Sequence, residues 1–137
     1  MRLRAICKSK IHRATITRAD MNYVGSIAID EDLLRRSDIL PGEKVCVWNL
    51  NNGARLETYA LTAPAFSGQI VINGAAARLC QRNDLVIIAA YLLTDEVVTP
   101  RMILVDAQNR FVRDLCDNQD GEVGLDSVTA PVDETVS

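Results

Sequence analysis

Histidine occurs once, at His12, and the four cysteines (Cys7, Cys46, Cys80 and Cys116) stand far apart with no CxxC pair. Zinc-finger spacing is absent, so no metal is expected, and reduced thiols in a cytoplasmic setting are the default. Aromatic residues make up only 4% of the chain, and no dense Lys/Arg stripe accompanies them, which argues against a nucleic-acid partner. The longest apolar run, Leu85–Leu93, is too short to cross a bilayer as a helix, so no membrane partner is expected. Met1-Arg2-Leu3-Arg4 leads straight into alternating sequence, without the apolar stretch of a signal peptide.

What is present fits one domain with a single core: 137 residues, 48% of them apolar. The net charge of −3 hides an asymmetry. Residues 114–137 hold seven acids and no Lys or Arg, leaving 15 basic against 11 acidic groups in residues 1–113, a balance of +4. A solvated, disordered acidic tail on a mildly basic body of residues 1–113 is the expectation. The basic body suits an anionic ligand.

Short strand-like runs recur between turn signals, starting with Leu3–Cys7, Ala14–Thr17 and Ser26–Ile29. Asp30–Asp38 reads as a two-turn helix, with Asp30 as N-cap, acids in the first turn and Arg35-Arg36 closing the last. Asn51-Asn52-Gly53 predicts a hairpin between KVCVWNL and ARLETYALT. QIVI runs into Asn73-Gly74 and a small-residue turn. LVIIAAYLL is apolar on both faces and predicts a central, fully buried strand. RMILVD is expected to be the last strand, with order fading past Asp114. Many short strands and one short helix predict a mainly β protein, a small closed barrel.

Within YVGS, the pair Gly25-Ser26 raises a chemical possibility. A hydroxyl directly after glycine can attack the preceding carbonyl carbon if the backbone bends to present it, and glycine reaches bends that a Cβ forbids. The peptide bond becomes an ester, elimination leaves dehydroalanine, and hydrolysis yields a pyruvoyl group. Alone, a Gly-Ser pair is usually only a turn. Its company is distinctive: KSKIHRATIT (Lys8–Thr17), YVGS (Tyr23–Ser26), WNLNNGARLETYAL (Trp48–Leu61) and NGAAA (Asn73–Ala77) occur in that order. Across residues 1–106 the chain closely resembles the pyruvoyl-dependent aspartate 1-decarboxylases.

The resemblance implies a six-stranded double-psi β-barrel with short helices, and a homotetramer whose sites are built from adjacent subunits. It also implies self-cleavage into residues 1–25 and 26–137, and conversion of L-aspartate to β-alanine and carbon dioxide for pantothenate synthesis. Decarboxylation beside an amine needs an electron sink. A pyruvoyl ketone made from Ser26, forming a Schiff base with the substrate, serves without pyridoxal phosphate. Tyr59 is the candidate proton donor to carbon. Thr58 is assigned to processing, through the Gly25 carbonyl oxygen, and to substrate contact. Arg55 and Lys10 are the candidates for the substrate carboxylates, arginine as a bidentate clamp and lysine as a point charge. Asn73, Gly74, Ala75 and Ala76 match the substrate-binding turn. His12 takes a supporting role in processing, and Tyr23 and Trp48 line the pocket.

The chain also departs from the family pattern. Arg78 follows NGAAA where histidine is usual, and Asn83 precedes Asp84 where glycine is common. Ala63–Gln69 replaces a more polar loop, and Thr94–Arg101 is a few residues shorter. Two other functions fit parts of the pattern: a non-catalytic β-barrel binding nucleic acid through its basic body, and a pyruvoyl decarboxylase for another small acidic amino acid.

Overall fold

The computed structural model describes residues 1–115; the acidic segment expected to be disordered lies, from Cys116 on, outside the described residues. Among the described residues nine strands form one mixed sheet: β1 (Arg4–Thr15), β2 (Arg18–Asp20), β3 (Ser26–Asp30), β4 (Lys44–Asn49), β5 (Arg55–Ala63), β6 (Ile70–Asn73), β7 (Leu85–Thr94), β8 (Arg101–Val105) and β9 (Phe111–Leu115). The spatial order is β2-β6-β3-β5-β4-β7-β1-β8-β9. The chain is mainly β, as expected, but this sheet has nine strands and is not closed. Three-residue β2 and turn-linked β9 are its two edge strands.

Isoleucine dominates the core: Ile11, Ile27, Ile29, Ile72, Ile88 and Ile103 are fully buried. Its β-branch costs little in an extended backbone and packs well on a pleated surface. The two runs expected as separate strands, Leu3–Cys7 and Ala14–Thr17, are instead joined through KSKIHR into β1, which ends at Thr15. A bulge between Ile11 and Ala14, with Arg13 at φ 65°, absorbs the break in alternation. Lys8 is buried within this stretch because its ammonium group is fully used: it donates to Ser9 Oγ at 2.9 Å and to the Asp38 carbonyl, and pairs with Glu43 at 2.9 Å.

Helix α1 (Glu31–Ser37) forms where its local signals lie. The Asp30 carboxylate accepts from Asp32 N at 2.9 Å, and also from Phe66 N at 3.0 Å and Gly68 N at 2.8 Å. One buried cap thus anchors the atypical 63–69 loop as well as the helix. Asn83 adopts φ 76°, the left-handed conformation that lets it stand where glycine is common. The hairpin at Asn51-Asn52-Gly53 is present, with Gly53 at φ +77°.

Strand β7 is central, but only its first part is buried; Tyr91, Leu92 and Leu93 are exposed. β8 is not the last strand, for Gln108-Asn109-Arg110 turns the chain into β9, which runs to Leu115. Asn109 holds that turn. Buried at φ 60°, it donates to the carbonyls of Thr15 and Gly68 at 2.8 Å each and accepts from Thr15 N at 2.8 Å. Asn109→Ala leaves those backbone groups unpaired, with an expected loss of about 2–3 kcal/mol in denaturant unfolding. A loss below about 0.5 kcal/mol, the range of neutral surface changes, would show that this side chain does not hold the turn.

Candidate active site

β3 is buried on both faces and paired on both edges. It begins at Ser26, so Gly25 lies just before the strand, in the turn that follows Met21. On one edge Ser26 pairs directly with Asn73 of β6. Asn73 Nδ2 donates to Ser26 Oγ at 3.2 Å, and Ser26 is 1% exposed. Asn73 Oδ1 is also buried and has no partner among the described residues. A buried acceptor left open beside a candidate reacting hydroxyl is available to a donor that arrives with the reaction.

On the other edge β3 runs parallel to β5, with Ile27 opposite Ala60. One step back in that register Ser26 is level with Tyr59, and the next step brings Gly25 to the level of Thr58. Thr58 is half-buried, whereas Tyr59, on the opposite face, is 37% exposed. Asn73 leads into a short 3₁₀ turn, Gly74–Arg78, which carries exposed Ala75 and half-buried Ala76. Arg78, where the resemblance expects histidine, is exposed at the end of that turn. Gly74 has φ +72°, a conformation natural to glycine. Gly25, by contrast, is not at positive φ.

Lys10, Trp48 and Arg55 form a second group. Trp48 and Arg55 are cross-strand partners on β4 and β5, and the guanidinium lies 4.6 Å from the indole centroid. Lys10 pairs with Ala89 of β7, whose small side chain lets the lysine reach diagonally to 5.9 Å from the same ring. Two cations held on one indole make an anion-attracting surface. Beside it is a shallow depression of about 330 Å³ that also contacts Cys46, Glu57 and Tyr91. Burial pushes the Tyr91 hydroxyl and Cys46 thiol pKa values up. The sequence alone does not single out these three residues, because only the cross-strand register puts Cys46 opposite both Ala89 and Glu57.

The two groups are separate within one chain. Arg55 and Tyr59 lie four residues apart on the same strand, about 13 Å at 3.3 Å per residue. Tyr23 is exposed in the turn before Gly25, with the Arg18 guanidinium 5.9 Å from its ring. His12, paired with Leu104 of β8, is half-buried. Burial, and then the charges of Lys10 and Arg13, lower its pKa from 6.5 to about 4. It is therefore neutral at neutral pH, able to give or take a hydrogen bond but not to act as a resident cation.

A profile of the aspartate decarboxylase family matches residues 1–112. The aspartate 1-decarboxylase of Moorella thermoacetica is 53% identical over 124 residues, covering 88% of this chain and 97% of that protein. That of Carboxydothermus hydrogenoformans is 58% identical over 110 residues, covering 77% and 87% respectively. The aspartate 1-decarboxylase of Pelotomaculum thermopropionicum is 50% identical over 124 residues, covering 88% and 94%.

The His12 environment makes a pH prediction. Between about pH 6.5 and pH 4 the unfolded chain binds a proton that folded His12 refuses. Stability from this group should be complete above pH 6.5 and fall as the pH drops through that window. Denaturant unfolding across the window should show a shallower pH slope for His12→Gln than for the parent. Equal slopes would contradict the assigned environment.

Proposed function

The chain belongs to the aspartate decarboxylase family, and on that footing we propose that it makes its own catalytic group by cleaving itself between Gly25 and Ser26. The enzyme converts L-aspartate to β-alanine, a role in pantothenate synthesis that follows from the family. The observation that best supports self-processing is the pairing of Ser26 with Asn73, which tethers a buried hydroxyl next to Gly25.

In this reading Ser26 Oγ attacks the Gly25 carbonyl carbon, and the hydroxyl proton passes to the departing amide nitrogen of Ser26. Thr58, level with Gly25, donates to the carbonyl oxygen as charge develops there. The resulting ester loses the Ser26 α-proton, and its C–O bond breaks to give a Gly25 carboxylate and dehydroalanine. One water is then consumed and one ammonia released, leaving the pyruvoyl group on residue 26. No oxidant or metal enters the balance. The residues around Ser26 fit such a group: Asn73 and the backbone of Gly74–Ala76 would hold it, and the open Asn73 Oδ1 can accept from the substrate nitrogen. When bound to substrate, the ketone supplies the electron sink that decarboxylation requires.

The chain's own side chains do the rest. Arg55, with Lys10 beside it over Trp48, anchors the carboxylate that stays, so that the α-carboxylate is the one released. Tyr59 delivers a proton to the carbon that loses carbon dioxide. Arg55 lies too far along β5 to meet Ser26 of its own chain across so small a substrate. A site completed by a second copy supports the homotetramer, and exposed Tyr91, Leu92 and Leu93 offer apolar area for that contact. The parallel β1–β8, β2–β6 and β3–β5 pairs within a mixed sheet support a double-psi barrel core. We place the enzyme in the cytoplasm, with residues 1–113 as its catalytic domain.

Two variants test the roles. Tyr59→Phe keeps the ring and should still yield the fragments 1–25 and 26–137, yet lose most β-alanine formation; parental turnover would remove Tyr59 from the proton step. Arg55→Lys should also cleave normally, while kcat/KM for L-aspartate falls by roughly 1.5–3 kcal/mol, the worth of a hydrogen bond to a charged group. Unchanged kinetics in a fully processed Arg55→Lys enzyme would move the anchor to Lys10.

A further inference from the structure

We propose that Gly74 is a positioning residue for self-cleavage, its missing Cβ allowing the end of β6 to press against the backbone of Gly25 and set the scissile carbonyl within reach of Ser26. The inference rests on the self-processing reading above and concerns a role distinct from substrate contact. A methyl group built on Gly74 would come within 2.6 Å of Gly25 Cα, 2.7 Å of Gly25 N and 3.0 Å of the Tyr23 carbonyl oxygen. The first two distances are shorter than real Cβ contacts, and both neighbours are backbone, which has no flexible end to swing aside. Gly74 also sits at φ +72°. Steric space and backbone conformation thus both demand glycine there.

Gly25 differs on both counts. It is not at positive φ, and a Cβ on it would meet only the Asn73 carbonyl oxygen, at 4.0 Å. The glycine requirement therefore lies across the strand pair, opposite the scissile residue. The antiparallel register explains why. Ser26 pairs with Asn73, so the next step opposes Gly25 to Gly74. Adjacent residues grip the two reacting partners: Asn73 tethers the nucleophilic hydroxyl, and Gly74 backs the N–Cα edge of the residue whose carbonyl is attacked. With that edge fixed, the carbonyl direction is left to the φ and ψ torsions of Gly25 alone. Misplacement of reacting atoms by about 1 Å can cost on the order of a hundredfold in rate.

The test follows the conversion of freshly translated full-length chain into fragments by intact mass, with thermal stability measured alongside. Gly74→Ala should slow cleavage about tenfold or more. Gly42→Ala is the control: Gly42 has φ +88° but open space around its Cβ position, so it carries the conformational penalty without the contact. It should cleave within about twofold of the parent. Gly53→Ala, at φ +77° and also with open space around its Cβ position, is a second control and should match Gly42→Ala. Parental cleavage rates in folded Gly74→Ala, equal slowing by either control, or a Gly74→Ala chain that fails to fold while both controls fold would each overturn the proposal, the last by making the contact a need of the fold rather than of cleavage. The parent chain is the internal reference. If it decarboxylates L-aspartate while wholly uncleaved, the self-processing reading fails and Gly74's role with it; if it cleaves while Gly74→Ala cleaves equally fast, only the Gly74 assignment fails.

Discussion

β3 is hydrogen-bonded on both edges, antiparallel to β6 and parallel to β5, and its two registers fix everything placed around Ser26. A slip of one residue on either side would turn Ser26 toward the opposite face and exchange it with Ile27, which is fully buried. Ile27, Ile29 and their partners Ile72 and Ile70 make such a slip costly, since each fully buried side chain of that kind contributes about 1.5–3 kcal/mol. The apolar pattern of five residues therefore specifies the position of one hydroxyl. Asn73 at the end of β6, Gly74 just after it, and Thr58 and Tyr59 on β5 inherit their places from the same pairing.

Polar groups far from Ser26 keep that frame in place. The Asp30 carboxylate ends β3, starts α1 and holds the 63–69 loop through three backbone N–H groups. Asn109 ties the β8–β9 turn to the end of β1 and to Gly68. Lys8 pins β1 to the C-terminal end of α1. Each is a buried polar group with its partners supplied, and two of them anchor the 63–69 loop, which departs from the family pattern, to β3 and to the β8–β9 turn.

The features legible in the sequence were those with local causes. Asp30 and the flanking charges predict α1 because a cap and a helix dipole act within one turn. Asn51-Asn52-Gly53 predicts its hairpin for the same reason. The charged stretch KSKIHR hides the continuity of β1, because Lys8 is buried there only through Asp38 and Glu43, some 30 residues away. The apolar run of β7 predicts complete burial because such a run does not say which of its residues a neighbouring element will cover. Among site residues, Ser26, Gly25, Lys10, Trp48 and Arg55 stand in motifs. Their separation into two groups, and the presence of Cys46, Glu57 and Tyr91 beside Arg55, depend on cross-strand register between distant segments. The close approach of Gly74 to Gly25 has the same origin, for local sequence cannot reveal which backbone will approach which.

The central claim is that the chain creates its electron sink from Ser26, and the mass of the purified, active enzyme tests it most directly. The account predicts two fragments, residues 1–25 ending in a carboxylate and residues 26–137 lighter by one ammonia than a serine-terminated chain. A preparation that forms β-alanine from L-aspartate while remaining one intact chain of unaltered mass would contradict it.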